Sequence, residues 1–409
     1  MAHRRVVITG MGAVSALGQG LDAHWDALAA GRTGISRIQR EIGDGSLHKY
    51  EGPAGVAPVL DTSQLEARLG PRPIAHLDPF SAFSVVAGQE ALTQSGLIGH
   101  PTLEHRTVMV WGCGSGGNQT IEDGYSRAFL KGATNVHPLS IPKQMISAPV
   151  SHLSMLFGVQ GPAFTVASAC ASSGHAIGEG LWMIRSGRAD AAVVGGAEAA
   201  LTYGSWMGWI ALKAMADDTC RPFSIDRRGM VLGEGAAALV LEDYEHARAR
   251  GAHIIAELAG YGATSDAHHI TMPHGRGAEA AIRAAHEDAG LSVDTPVLIS
   301  SHGTGTALND KIESGAIRAV YGSGVARNRV IATKSAHGHL IGGAGAIELV
   351  TGIQAMVNNL APPILNSLGP DPECDVSLVM EAEAHSFQAV VSNSFAFGGL
   401  NAVLIAKRV

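Results

Sequence analysis

An α/β fold follows from the way this sequence alternates. Short β-branched runs are interleaved along the chain with Ala-rich stretches at helical spacing, the pattern of strands and helices built into one layered core. No low-complexity tract or long Pro/Ser linker interrupts that alternation, so the chain reads as one continuous compact unit. An internal echo adds to this. FTVASACASSGHAIGEGL, from Phe164, and VIATKSAHGHLIGGAGAIELV, from Val330, share one plan: a strand, a turn of small residues, then a helix rich in Gly and Ala. VVITGMGAVSALG near the start similarly resembles AELAGYGATSDAH from Ala256. The echoes predict two similar halves, residues 1–250 and 251–409, with reactive side chains presented where strands pass into helices.

Taken in order, Arg5–Thr9 (RVVIT) reads as a buried strand, followed by a glycine loop and a helix near Leu21–Ala30. Gly10-Met11-Gly12 invites a dinucleotide-binding reading. Ser15 stands where that fingerprint wants its third glycine, and no second strand ending in an acidic residue follows at the expected distance, so a tight strand-to-helix turn is preferred.

Composition narrows the function. Charged residues make up only 16% of the 409-residue chain and hydrophobic residues 46%, so much surface must be hidden in a large core, a large subunit interface, or both. The 52 glycines are about twice average usage and mark close backbone packing. A net charge of −7 argues against nucleic acid and against docking on an anionic membrane. The four cysteines show no CxxC spacing and look like thiols of a reducing cytoplasm. The start, MAHRRVVITG, has only a short apolar run, so no signal peptide or membrane span is expected. His268-His269 and His337-x-His339 are close pairs without an HExxH or carboxylate set, and no metal is expected.

Cys170 lies in VASACASSG, between an apolar β-type run and a helical pattern. A thiol at a helix N-terminus feels the positive end of the backbone dipole, which lowers its pKa, and the small neighbours leave room for a carbonyl. Taken alone, it fits an inert buried cysteine equally well. Three more segments bear on it. LISSHGTGT presents His302; IATKSAHGHL presents His339, with Lys334 five residues before it; SNSFAFGGLN is a flexible loop with aromatic anchors near the C-terminus.

Together these segments resemble the β-ketoacyl synthase family of the thiolase-like superfamily. The resemblance runs essentially end to end through GPAFTVASACASSGHAIG, VVGGAEA, RPFSIDRRGMVLGEGAAALVLE, HGTGT, KSAHGHLIGGAGAIE and NSFAFGG, in the family's order. It is strongest to the elongating type with a Cys-His-His triad. The resemblance implies a duplicated five-layer α/β/α/β/α sandwich, a homodimer, and no cofactor. It implies that Cys170 carries the acyl chain as a thioester and that His302 and His339 stabilise the enolate left by decarboxylation of malonyl on an acyl carrier protein. Lys334 and Glu348 would orient His339 and hold the local charge. The backbone N–H groups of Cys170 and Phe397 would form a second oxyanion site, and Phe395 and Phe397 would belong to the gating loop. Asp310 and Glu313 are assigned to structure.

Several positions depart from the common fatty-acid elongation enzyme. Ala396 and Leu400 stand where Gly and Thr are usual, so loop gating is altered. Ser115 replaces a bulkier aliphatic in the acyl pocket, implying a deeper or more polar pocket, and Trp209 replaces Phe. The carrier-docking helix near Arg72–Phe80 retains only Arg72 and His76, with Lys213 and Arg227-Arg228 as candidate substitutes. These features look similar to specialised synthases of the rhizobial nodulation type and to some type II polyketide synthases. Housekeeping elongation is the runner-up. A non-catalytic chain-length-factor subunit, which could also be the partner of a catalytic one, would lack the nucleophile. A degradative thiolase would carry a second cysteine near the C-terminus, and a nicotinamide oxidoreductase is the remaining alternative.

Overall fold

A computed structural model describes residues 4–42, 48–70 and 76–409. Arg72 lies outside the described residues. Ten strands carry the architecture: β1 (Val6–Ser15), β2 (Thr107–Gly112), β3 (Ala163–Val166), β4 (Ala191–Glu198), β5 (Gly235–Asp243), β6 (Ala256–Ser265), β7 (Leu298–Ser300), β8 (Arg329–Ile331), β9 (Ala389–Ala396) and β10 (Leu400–Lys407). Their order is β8-β7-β9-β10-β6-β1-β5-β4-β2-β3, and the two-residue strand Gly18–Gln19 pairs with the end of β1.

The order is a repeat. Outward from the middle, β1-β5-β4 are antiparallel neighbours and β4-β2-β3 are parallel. On the other side, β6-β10-β9 are antiparallel and β9-β7-β8 parallel. The two runs meet where β1 and β6 pair antiparallel at Val7↔Glu257 and Ile8↔Ala256. The resemblance between the segments from Phe164 and Val330 has a structural counterpart, since β3 and β8 hold equivalent outermost positions.

Helices form three layers around these strands. On one outer face α1 (Pro79–Ser95) lies on β1 and β5, with α2 (Ala148–Phe157) against it. Asp78 starts α1 by accepting from Phe80 N–H, Pro79 occupies its first turn, and Gly96 in the left-handed region ends it. In the middle, α3 (Ser172–Arg185) packs on β2 and β4. The helix after it in the chain, α4 (Tyr203–Ala211), belongs to the site described below. On the opposite outer face α5 (Gly275–Ala289) covers β6 and β10, with α6 (Ala307–Tyr321) beside it. The last helix, α7 (Ala344–Asn358), returns to the middle layer, against α3, and touches β9 and β7 of one half and β5 of the other. Contact with both halves explains why nearly all of α7 is buried and its sequence, AGAIELVTGIQAM, is apolar almost all round. The fold is the thiolase-like sandwich that the sequence predicts.

The glycines after Thr9 do not form a loop. β1 continues through them to Ser15, and the predicted helix follows at Leu21–Ala29. Their smallness serves the outer layer: a Cβ at Gly10 would lie 2.0 Å from the Ala91 carbonyl oxygen, and one at Gly12 2.1 Å from that of Ala87, both on α1. Gly260 and Gly262 of β6 meet α5 in the same way, at 2.3 and 2.1 Å from the oxygens of Ala285 and Ala281. These are helix-packing glycines at equivalent places, and the phosphate cradle of a dinucleotide site is absent from this segment. Gly12→Ala should therefore cost on the order of 1–3 kcal/mol through overpacking, read as a lowered Tm. Titration with a nicotinamide dinucleotide should show no saturable binding.

Candidate active site

The parallel strands end on one side, where such sheets place their ligands. β3 leads through a tight turn, Ala169–Ala171, into α3. Cys170 sits in that turn beside the helix N-terminus. Ala169 has φ +49°, and a small side chain limits the cost of that left-handed backbone. Hydrogen bonds brace the turn: Ser172 Oγ donates to the Ala169 carbonyl at 2.7 Å and accepts from Ser168 N–H at 2.9 Å, and Ser168 Oγ contacts His175 Nδ1 at 2.8 Å.

His302 follows β7, and Lys334 follows β8 with His339 beyond it. The HGTGT loop is held from within α6. Glu313 accepts from the N–H groups of His302 and Gly303, both at 2.8 Å, and Asp310 accepts from Thr304 at 3.1 Å and Gly305 at 3.2 Å. These contacts fit the structural assignment of both acids.

The structure brings the five predicted catalytic residues together, all buried. His339 Nε2 is 3.1 Å from Cys170 Sγ, and the His302 and His339 rings meet edge-on with centroids 5.4 Å apart. Lys334 Nζ contacts the Glu348 carboxylate directly, donates to the His302 carbonyl at 2.5 Å and lies 3.3 Å from His302 Nδ1. Lys334 thus lies against His302 and Glu348, whereas the sequence reading tied that pair to His339.

Protonation follows from the neighbours. Burial first, then Lys334, holds both imidazoles well below the usual histidine range, so both are neutral. His302 Nδ1 faces the Lys334 ammonium, a donor, and His339 Nδ1 accepts the Ile341 N–H at 3.2 Å. Each Nδ1 is therefore an acceptor, and each proton sits on Nε2. The ligand atoms of Cys170, His302 and His339 do lie within 4.8 Å of one another. A metal would need bare Nε2 lone pairs and acceptors behind the rings, the opposite of this arrangement. Two Nε2–H donors suit a developing oxyanion.

The expectation of a low thiol pKa does not hold. Burial pushes Cys170 up to about 12, with Lys334 pulling the other way and the Glu198 and Glu348 carboxylates adding to the rise. The resting group is the thiol. Glu348 is likewise pushed up by burial, to about 7, against the pull of Lys334.

Cys170 stands between two spaces. A channel of about 400 Å³ reaches it from the surface past Lys213, Arg228, Ile270 and Leu308. Beyond it lies an inner pocket of about 170 Å³ lined by Ser115, Ala200, Ser205, Trp209 and Phe397. The Trp209 and Phe397 rings, on α4 and the loop after β9, stack with centroids 5.9 Å apart between the two spaces. Phe395 is buried, edge-on to His302 at 6.3 Å. Ala396 ends β9, and the turn's freedom comes from Gly398 and Gly399 at φ +83° and +70°. Ser115 Oγ donates to Glu198 at 2.7 Å and accepts from Asn118 at 2.7 Å, so its polar end is already occupied. Arg227 is not available as a docking charge: it is buried against Asp371 and the carbonyls of Ser224, Thr306 and Ala307. Lys213 and Arg228 are exposed.

Sequence reasoning passed over Glu198, the last residue of β4, although it quoted VVGGAEA. A carboxylate closing a wholly apolar strand run is the signal that could have found it.

A repeated strand order that aims a thiol and two donating imidazoles at one point defines an acyl-transferring condensing enzyme. The chain belongs to the β-ketoacyl synthase family: its residues 3–247 match the family's N-terminal domain and residues 255–367 its C-terminal domain. It is similar to nodulation protein E of Rhizobium leguminosarum bv. trifolii, 41% identical over 99% of this chain and 100% of the relative. It is also similar to 3-oxoacyl-[acyl-carrier-protein] synthase 2 of Vibrio cholerae, 36% identical over all of both chains. Among solved structures, the ishigamide ketosynthase/chain length factor matches with a TM-score of 0.92 and 33% identity over 100% of both chains. Among the described residues no helix is long and apolar enough to cross a membrane.

Two outcomes follow from this geometry. Alkylation of Cys170 by iodoacetamide, read by intact mass, should accelerate roughly tenfold per pH unit up to pH 10 without a plateau, since only the thiolate reacts. A plateau near neutrality would show an acidic thiol instead. Lys334→Met strands a buried carboxylate and should cost about 3–5 kcal/mol, while Lys334→Met/Glu348→Gln should recover most of that in Tm.

Proposed function

We propose that this chain is a 3-oxoacyl-[acyl-carrier-protein] synthase of a specialised fatty-acid or polyketide pathway. The observation that carries the proposal is Cys170 Sγ at 3.1 Å from His339 Nε2, with His302 beside it and both rings held as Nε2–H donors.

In the first half-reaction Cys170 attacks the thioester of an acyl carrier. The acyl–sulfur bond to the carrier breaks, and the carrier thiol leaves with the proton. In the second, malonyl on its carrier loses CO2, the electron pair stays as an enolate, and Nε2–H of His302 and His339 hold its oxygen. The enolate carbon attacks the acyl carbonyl on Cys170. The resulting oxyanion rests on the N–H groups of Cys170 and Phe397, and collapse expels the sulfur, which takes up a proton from solvent water. Lys334 and Glu348 act as positioning residues by fixing His302. The inner pocket with Ser115 and Trp209 takes the acyl chain, and Phe395 and Phe397 border its entry. Atoms balance without any cofactor.

The carrier approaches the channel mouth, where Lys213 and Arg228 complement an acidic partner. The partner subunit is a second copy. In support, Tyr125, Phe129 and Ile141 are exposed apolar residues (62%, 78% and 62%), and β3 is the last strand at its end of the sheet among the described residues. A chain-length-factor subunit is the alternative, and co-expression followed by mass measurement separates the two. The repeated strand order supports division into halves at residues 1–250, with Cys170, and 251–409, with the histidines. Four free cysteines, all buried, support a cytoplasmic setting. The greater identity to nodulation protein E than to the Vibrio synthase favours a dedicated pathway over housekeeping elongation.

Incubation with acyl carriers of graded chain length should give an acyl adduct by intact mass that Cys170→Ala abolishes. Rapid elongation of ordinary saturated chains on a housekeeping carrier would instead assign the protein to housekeeping synthesis.

A further inference from the structure

Glu198 is fully buried and takes no part in the reaction drawn above. It ends β4, and its carboxylate gathers donors from two separate loops. From the loop after β2 it accepts Gly114 N–H at 2.9 Å, Ser115 N–H at 3.3 Å and Ser115 Oγ at 2.7 Å. From the turn after His339 it accepts Gly342 N–H at 3.1 Å. Cys113 Sγ adds a fifth donor at 3.8 Å, and the hydrogen bonds favour the ionised carboxylate against burial, which pushes Glu198 up. The two loops touch: a Cβ at Gly342 would lie 2.3 Å from Gly114 N, and a Cβ at Gly114 2.7 Å from Glu198 Oε2 and 2.9 Å from Ile341.

The loops have different tasks in the proposed reaction. The first carries Ser115, a wall of the inner pocket. The second carries Ile341, another wall of that pocket, whose N–H fixes the His339 tautomer at 3.2 Å. Ile341 holds φ +41°, a conformation a β-branched residue keeps only when its surroundings impose it, and Glu198 binds the next residue.

We propose that Glu198 is a positioning residue that locks the acyl-pocket wall at Gly114–Ser115 to the turn that fixes His339. An acyl chain pressing on Ser115 or Ile341 then bears on the same carboxylate that keeps His339 aimed at Cys170, so fit in the pocket and readiness for condensation are linked. The inference rests on the acyl-thioester reading of Cys170.

Glu198 also acts on the thiol through charge. The groups facing Cys170 are His339 and His302 and the charges of Lys334, Glu198 and Glu348; Lys334 lowers the thiol pKa, and the two carboxylates raise it. A filler without charge would not do this, and that difference supplies the test.

Wild-type protein is first shown to load acyl groups on Cys170; failure there defeats the catalytic reading itself. Glu198→Gln is then compared by iodoacetamide alkylation against pH and by steady-state condensation. The alkylation profile should move to lower pH, because a negative charge near the thiolate is gone. Condensation kcat should fall about tenfold with KM for the malonyl carrier unchanged, an interaction needed in the transition state and not for binding. Glu198→Asp restores the charge, so its alkylation profile should return to wild type while kcat stays reduced by the shorter reach. Ser115→Ala removes one donor without touching the carboxylate and keeps the test open if Glu198→Gln does not fold; it should lower kcat more for the best-fitting acyl chains than for short ones. An unchanged profile and kcat in Glu198→Gln, or an equal loss across chain lengths in Ser115→Ala, would overturn the proposal.

Discussion

A lysine with no exposed surface is the constraint on which this site depends. Burying an ammonium is costly unless its charge is paired and its donors are used. Lys334 meets that demand with the Glu348 carboxylate, the His302 carbonyl and His302 Nδ1. The consequence reaches beyond stability. Facing a cation, His302 cannot hold its proton on Nδ1 and cannot readily gain a second one. The ring is left as a neutral Nε2–H donor aimed into the cavity, and His339 reaches the same state from a backbone N–H. Two fixed donors whose protons need no rearrangement are what an enolate oxygen requires. The same electrostatics makes the cluster a poor metal site.

That constellation needs elements from both halves of the chain to approach within hydrogen-bonding distance. Cys170 rides on the turn into α3, the histidines on turns after β7 and β8, and α3 and α7 lie against each other in the middle layer. Such closeness requires missing side chains. Gly174 would bring a Cβ to 3.0 Å of Ala402, and Gly345 one to 2.7 Å of Ser394 Oγ. The high glycine content that first distinguished the sequence is thus largely an account of how tightly the layers meet.

Much of this was legible in the sequence, for a physical reason. Strand-to-turn-to-helix presentations of Cys170, His302 and Lys334 are local, written in contiguous runs such as FTVASACASSG and VIATKSAH. What escaped was decided by tertiary contacts. Gly10 and Gly12 look like a loop until α1 is seen lying on them. Cys170 looks acidic from its place before a helix, yet enclosure by α7, β9 and the histidine turns removes the water that would solvate a thiolate. Arg227 looks like a surface charge beside Arg228, but it turns inward to Asp371. Glu198 looks like the polar end of a strand, and only the folded chain shows two loops converging on it.

The raised thiol and the donating imidazoles also bear on the order of events. A resting thiolate in a buried pocket would be exposed to oxidants and to stray electrophiles during every interval between substrates. In the proposed reaction the sulfur is neutral at rest, and negative charge arises only as the acyl carbonyl is attacked, at an oxyanion held by the N–H groups of Cys170 and Phe397. The Nε2–H groups of His302 and His339 stay free of that charge while the acyl chain is seated as a neutral thioester. They can then serve the enolate of the second substrate. The proposed reaction thus divides its charge between two donor pairs, the backbone N–H groups at the acyl carbonyl and the imidazoles at the enolate.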